Sequence, residues 1–254
     1  MTLWVGGNKI PTTSGLHHDF HDNFYIVLGG KKQFTLYPPS DYPYLYLHGK
    51  VRHLYENGLF VYHGKEKATS PILPIRQDGS FFKDVLEWKL GKLEDLMDLP
   101  TTSRKERKAA KMEFASLYAQ WESFHEEKEE ESVDSVKSQD GAPITFPPSF
   151  SRIPPSLLRS SQEEITNSSF PLLVHAHPTV ITLDPGDVLF LPCGWFHEVV
   201  STSCRVDQYE YHMALNYWFA PPDDLDLGSD RGYLDEFWME TFGDELREEL
   251  GSGE

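Results

Sequence analysis

Along the chain, apolar positions come in short runs broken by glycine and proline, the pattern of many short strands. "TLWVGG" is a strand stopped by two glycines, and "FYIVLGGKKQFTLYPP" is two β-rich runs around Gly29 and Gly30. Gly-Gly between such runs is a tight-hairpin signal, because glycine takes positive φ at little cost. "PPSDYPYLY" closes the second run, since Pro38 lacks the donor that a central strand requires. Residues 47–103 are less periodic and predict loop, one or two short strands and a helix around "DVLEWKLGKLEDLMDL". Strands resume at "LLVHAHPTVITL". "DPGDVLFLPCGWFHEVV" then predicts a turn and a strand that ends at Pro192, and "YHMALNYWFAPPDD" predicts a further strand.

Helical spacing is confined to a few segments. Residues 104–132 are rich in good helix formers and free of glycine and proline, with a weak apolar stripe at Met112, Leu117 and Trp121 between a basic and an acidic end. A solvated helical insertion is expected there, running into a disordered Ser/Asp/Lys linker up to about Ala142. "FPPSFSRIPPSLL" is a loop pinned by prolines. From Tyr233 to Leu250, apolar residues recur every fourth position at Leu234, Trp238, Phe242, Leu246 and Leu250, which predicts a terminal helix. The sum is a mainly β fold, a barrel or sandwich decorated by a helical insertion and a C-terminal helix. The expected division is 1–103 and 143–222 as the two parts of the β core, 104–142 as the insertion, and 223–254 as an acidic C-terminal helix.

Composition narrows the function classes. The 254 residues, 39% apolar and 13% aromatic, suffice for one sizeable core. A formal net charge of -17 argues against nucleic acid and against an anionic membrane surface as partners. Two cysteines, Cys193 and Cys204, are too few for a disulfide scaffold and suit a reducing compartment. No signal peptide and no apolar run near the ~20 residues of a membrane span are visible. A soluble protein of the cytoplasm or nucleus is expected.

The chemistry concentrates in two segments. The first holds His17, His18, Asp19, His21 and Asp22 at the mouth of an otherwise apolar strand. In an extended strand, residues i and i+2 share a face, so His17 and Asp19 can reach one metal ion while His18 points away. The second is Pro192-Cys193-Gly194-Trp195-Phe196-His197, where a histidine just past a Pro-x-Gly turn lies at a strand mouth. Two histidines and one carboxylate with an open face are the ligand set of non-haem Fe(II) oxygenases, and zinc in a hydrolase is the competing use. His18, His21 and Asp22 are expected to face outward or to support the ligands. His48, His53, His63, His175, His177 and His212 have no partner spacing, and Cys193 reads as a packing residue.

"SGLHHDFHDNFYIVLGGKKQFTLYPPSD", "DVLFLPCGWFHEV" and "ALNYWFAPP" together resemble the Jumonji-C, or cupin-like, Fe(II)- and 2-oxoglutarate-dependent oxygenases. The similarity is greatest to the small hydroxylase branch of asparaginyl and Jumonji-type lysyl hydroxylases. It covers the start of the chain and residues 183–222. The resemblance implies a double-stranded β-helix, or jelly roll, in which His17, Asp19 and His197 bind iron and are the catalytic centre. It implies further that Lys32 pairs with the distal carboxylate of the cosubstrate 2-oxoglutarate, and that Ser14, Asn23 and Asn216 lie at the same pocket. A lone buried cation is costly without an anionic partner, which a small dicarboxylate supplies. The non-oxygenase cupins tend to carry a His-x-His pair followed by Glu; Asp19 in place of the second histidine favours the oxygenase.

The activity implied is consumption of dioxygen and 2-oxoglutarate to hydroxylate a side chain of a protein or peptide substrate. The acidic surface suits a basic or neutral peptide. Histone lysine demethylation uses the same chemistry, and a catalytically silent cupin-like binding module and a zinc hydrolase are the rival readings. Related hydroxylases often dimerise through C-terminal helices, so a homodimer is allowed. Members of the family carry strands and helices before the segment matched by "LWVGG"; a chain starting there is expected to expose a sheet edge.

Overall fold

The structure, a computed structural model, describes residues 1–7, 9–64, 73–123, 136–137, 143–144, 146–219, 236–237 and 240–241. In chain order the elements are β1 (Thr2–Gly6), β2 (Thr12–Thr13), β3 (His17–His18), β4 (Asp22–Gly29), β5 (Lys31–Tyr37), β6 (Val51–Leu54) and β7 (Phe60–Tyr62). Helices α1 (Phe82–Asp98) and α2 (Arg104–Ser123) follow, then β8 (Val136–Lys137), β9 (Pro143–Ile144) and α3 (Gln162–Thr166). The chain continues through β10 (Thr179–Leu183), β11 (Val188–Leu191), β12 (Phe196–Thr202), β13 (Cys204–Val206) and β14 (Tyr209–Phe219). Residues 1–62 with 134–221 form one compact unit, and residues 63–133 with 222–254 form another.

The first unit is built on two antiparallel sheets. One runs β1-β14-β4-β11 with β13 on β14, and the other runs β10-β5-β12-β2 with β3 on β12. Tyr25 and Val27 of β4, Phe34 and Leu36 of β5, Leu183, Leu191 and Ala214 pack into one core, so side chains of both sheets meet between them. This is the mainly β, jelly-roll arrangement that the strand pattern and the resemblance imply. A second core joins Leu16, Tyr37, Phe60, Tyr62, Ile153 and Phe196 at one end.

The Gly29-Gly30 dipeptide is not a hairpin. β4 pairs with β14 and β11, whereas β5 pairs with β10 and β12, so the dipeptide is the corner where the chain leaves one sheet for the other. Gly30 alone takes positive φ, +73°, and a Cβ there would stand 2.6 Å from the Thr202 carbonyl oxygen. A corner requires both the left-handed conformation and a bare α-carbon. The run "LLVHAHPTVITL" is also shorter as a strand than its composition predicts: Pro171–His175 is a 3-10 turn, and only Thr179–Leu183 pairs. β1 lies at a sheet edge, paired with β14 alone, and exposes Leu3, Trp4 and Val5.

In the second unit α1 packs on α2, and the Trp121 indole N–H donates to Glu87 Oε1 at 2.8 Å. The apolar half-buried positions of α2 are Phe114, Leu117 and Trp121 beside buried Ala110; Leu117 and Trp121 belong to the expected stripe, while Met112 is exposed and Phe114 stands in its place. Lys92 of α1 bridges Glu236 and Glu240 at 2.5 and 2.6 Å, and Phe237 packs edge-on to Trp88. The expected stripe of Leu234, Trp238, Phe242, Leu246 and Leu250 lies outside the described residues, as does most of the expected linker before Ala142. No helix among the described residues is long and apolar enough to cross a membrane.

Glu198 of β12 is fully buried, which only strong partners make tolerable. Arg159 Nη2 donates to both its oxygens at 2.6 and 2.8 Å, and the Thr13 hydroxyl donates to Oε1 at 2.5 Å. Replacing Arg159 with Ala strands the carboxylate and is expected to destabilise the protein by about 3 kcal/mol. Adding Glu198→Gln should recover part of that. Urea midpoints at constant m-value check it, and a loss below ~1 kcal/mol would show the pair to be marginal.

Candidate metal centre

The register of β3 on β12 sets the centre. His17 lies opposite His197, and Phe196 opposite His18, so the two imidazoles share one face and His18 and Phe196 share the other. Asp19 follows on the first strand's path. His17 Nε2 stands 3.9 Å from Asp19 Oδ1, and His197 Nε2 stands 3.8 Å from Asp19 Oδ2. Those separations are too long for hydrogen bonds. They lie inside the ~4.2 Å ceiling for two ligands of one ion bonded at about 2.1 Å each. The three ligand atoms all lie within 4.8 Å of one another, and among the described residues no other group of three metal-binding side chains comes together in this way.

Each ring is held by a backbone carbonyl. His17 Nδ1 donates to the Gly15 carbonyl and His197 Nδ1 to the Trp195 carbonyl, each at 3.0 Å. With Nδ1 carrying the proton, the Nε2 lone pair of each ring is free to bind a cation. His17 also stacks on Phe150, with ring centroids 4.7 Å apart, and the Trp218 indole N–H donates to Asp19 Oδ2 at 3.3 Å. Burial, then the neighbouring His17, pushes the His197 pKa down and keeps that ring neutral. The turn before His197 is fixed from outside: Gly194 has φ +75°, and a Cβ on it would stand 2.0 Å from the Gly58 carbonyl oxygen.

The centre opens into a cavity of about 460 Å³ inside the β unit. Its apolar wall includes Tyr25, Phe34 and Val199; Ser14, Asn23, Lys32, Ser201, His212 and Asn216 supply polar groups. All four residues expected around a cosubstrate, Ser14, Asn23, Lys32 and Asn216, therefore line the cavity that His17, Asp19 and His197 line. Lys32 is buried, and its ammonium donates to the Ser201 hydroxyl at 2.7 Å and to His212 Nδ1 at 3.0 Å. Its partners are a hydroxyl and an imidazole, so among the described residues no carboxylate offsets its charge, and burial lowers its pKa to about 8. Asn23 Oδ1, Asn216 Oδ1 and His212 Nε2 are buried without a hydrogen-bond partner among the described residues. Unpaired polar atoms cost about 1–3 kcal/mol each and mark a surface shaped for something other than protein packing.

Two of these roles escape sequence reasoning. His212 has no neighbour in sequence that marks it, yet His212, Ala214 and Asn216 alternate onto the buried face of β14, and that period-two pattern was its available signal. Trp218 is the next on the same strand. Of the other residues near the first cluster, Asp22 is buried and accepts from the Cys193 N–H at 2.7 Å, and His18 is a core residue, not an outward one. His18 Nε2 pairs with the Tyr62 hydroxyl at 2.6 Å. His177, too, has a partner, donating to buried Asp41 at 2.9 Å through its ring. Cys193 is a buried free thiol whose pKa burial pushes up, as befits a packing residue.

Comparisons with known proteins bear on this site. A family model described as a cupin-like domain matches residues 1–225. The chain is 30% identical over 276 aligned residues to JmjC domain-containing protein 4 of Schizosaccharomyces pombe, covering 92% of this chain and 56% of that protein. It is 24% identical over 226 residues to lysine-specific demethylase JMJ32 of Arabidopsis thaliana, covering 89% of this chain and 43% of that protein. A segment of 45 residues is 36% identical to the human bifunctional peptidase and (3S)-lysyl hydroxylase JMJD7, covering 18% of this chain and 14% of that protein. The chain thus spans about half the length of the curated relatives that it matches along most of its own.

Two outcomes are expected. His197→Ala should abolish stoichiometric Co(II) binding, read by its visible absorption, and leave the far-ultraviolet circular dichroism unchanged; retained stoichiometry would remove His197 from the ligand set. The second concerns His18, whose pKa burial lowers from 6.5 to about 4. Between those values the unfolded chain binds the proton and the folded chain does not, so stability is complete above about pH 6.5 and falls as pH drops towards 4. The expected loss from His18 is on the order of 3 kcal/mol, and His18→Gln should make that limb of the pH–stability curve shallower, leaving the share that His197 contributes.

Proposed function

This chain belongs to the cupin-like family of JmjC domains, and from that premise we propose that it is an Fe(II)- and 2-oxoglutarate-dependent oxygenase that hydroxylates a side chain of a protein substrate. The observation that supports the reading best is the sharing of one cavity by a His-Asp-His cluster and a buried lysine that has no carboxylate partner among the described residues. When bound, ferrous iron and 2-oxoglutarate supply the oxidant: dioxygen is consumed, the keto acid becomes succinate and carbon dioxide, and one oxygen atom enters a substrate C–H bond.

The residues fit both groups. His17, Asp19 and His197 would hold the iron, two neutral imidazoles and one carboxylate being the donor set that suits ferrous iron. Trp218 fixes the Asp19 carboxylate through Oδ2. Lys32 would receive the far carboxylate of 2-oxoglutarate, and it lies the right way along the sheet: its register partner on β12 is Ser201, on the same strand face as His197. Ser14, Asn23 and Asn216 would order the cosubstrate between those ends, and Tyr25, Phe34 and Val199 keep water from it. A protein side chain as substrate is supported by the two relatives whose names specify lysine, one a hydroxylase and one a demethylase. The net charge of -17 suits a basic or neutral peptide.

Anaerobic titration of the Fe(II)-loaded protein with 2-oxoglutarate tests the reading. A weak visible charge-transfer band should appear and should be absent from Asp19→Ala. Lys32→Ala should keep its iron and bind 2-oxoglutarate at least about thirtyfold more weakly. No band from folded, iron-loaded protein would move the assignment to a silent binding module. With peptide substrates, a mass gain of one oxygen marks hydroxylation, and formaldehyde release marks demethylation.

A further inference from the structure

His212 stands between two glycines and against one lysine. It pairs with Gly6 across the β1–β14 ladder, where a Cβ on Gly6 would lie 2.6 Å from its Nε2. A Cβ on Gly30 would lie 2.8 Å from the His212 Cβ. The two glycines leave the ring the room that a Cβ at either position would take. An ammonium group has only donors, so the 3.0 Å contact with Lys32 makes Nδ1 the acceptor and puts the ring proton on Nε2. That Nε2–H is buried with no partner among the described residues. A protein interior rarely keeps such a group unless the other face of the ring is needed.

We infer that His212 is a positioning residue for Lys32, holding its ammonium group at the inner end of the cavity and so setting how tightly a small dicarboxylate is bound there. The inference rests on the oxygenase reading above. Lys32 has three N–H bonds; Ser201 takes one, His212 takes the second, and the third is left for an anion. Around Lys32, the titratable groups lining the cavity are His212 of β14, Tyr25 of β4, and the cluster of His17, Asp19 and His197. His212 is the one that hydrogen-bonds it. Its neighbours in the sheet, Leu183 of β10 and Ser201 of β12, are uncharged. Burial, and then the charge of Lys32, lower the His212 pKa, which preserves the Nδ1 acceptor at neutral pH. An acceptor on the ammonium group favours its charged form, so removing His212 makes Lys32 easier to deprotonate.

The test is calorimetric titration of 2-oxoglutarate into the full chain loaded with redox-inert Mn(II), from about pH 6.5 to about pH 9. For the unaltered protein, affinity should decline as pH rises through the region where Lys32 loses its proton. His212→Ala should bind about tenfold more weakly at neutral pH, with Mn(II) affinity unchanged, and its alkaline decline should begin at lower pH. His212→Asn, which offers an oxygen in place of Nδ1, should restore most of both. Should the Ala variant not fold, His212→Leu against His212→Asn makes the same comparison. An unmoved alkaline decline, or an Asn variant no better than Ala or Leu, overturns the positioning role and leaves the oxygenase reading intact. Mn(II) binding with no 2-oxoglutarate binding by the unaltered protein overturns both.

Discussion

The two-residue ladder between His17–His18 and Phe196–His197 is the contact on which the rest of the site depends. A strand exposes alternate residues to opposite faces, so one register decides two things together: the imidazoles meet over the cavity, and His18 and Phe196 enter the core beside Phe60 and Tyr62. A slip of one residue would bury His17 and turn His18 towards the cation position. The aromatic packing behind the ladder thus guards the chemistry in front of it.

The interior of the β unit holds more charge than a fold needs, and the two cases are handled differently. Glu198 is matched by Arg159 and Thr13 and belongs to the scaffold. Lys32 is given only neutral partners, so its charge is carried at the expense of its basicity. The charge of Glu198 is matched within the scaffold, whereas that of Lys32 faces a cavity with no carboxylate beside it among the described residues. The same contrast separates Asp22, capped by the Cys193 N–H, from Asp19, whose oxygens face two imidazoles at distances that no proton bridges.

Much of this was legible in the sequence because the relevant rules are local. His17 and Asp19 are two apart on an extended segment, and His197 follows a turn that Gly194 announces; both facts need only strand geometry. The fold class followed from the many short apolar runs. What was illegible depended on partners far along the chain. Gly29-Gly30 has the composition of a hairpin, and only the separate partners of β4 and β5 show a corner between sheets. His212 acquires meaning from Lys32, which lies on a different sheet. The apolar face of β4 also misleads, because Phe24 and Leu28 point outward and are partly exposed, hiding the alternation that would have given the strand's inward side.

The cluster draws on residues far apart along the chain: His17 and Asp19 before the helices, His197 long after they have been made. At ribosomal speeds of 5–20 residues per second, roughly 10 to 40 seconds separate synthesis of the second residue from that of the third. During that interval the nascent chain has a histidine and a carboxylate but no centre, because the strand that supplies His197 also supplies the ladder that aligns His17. The cluster is thereby assembled only when the β unit closes, and a chain that stalls before β12 lacks one of its three residues.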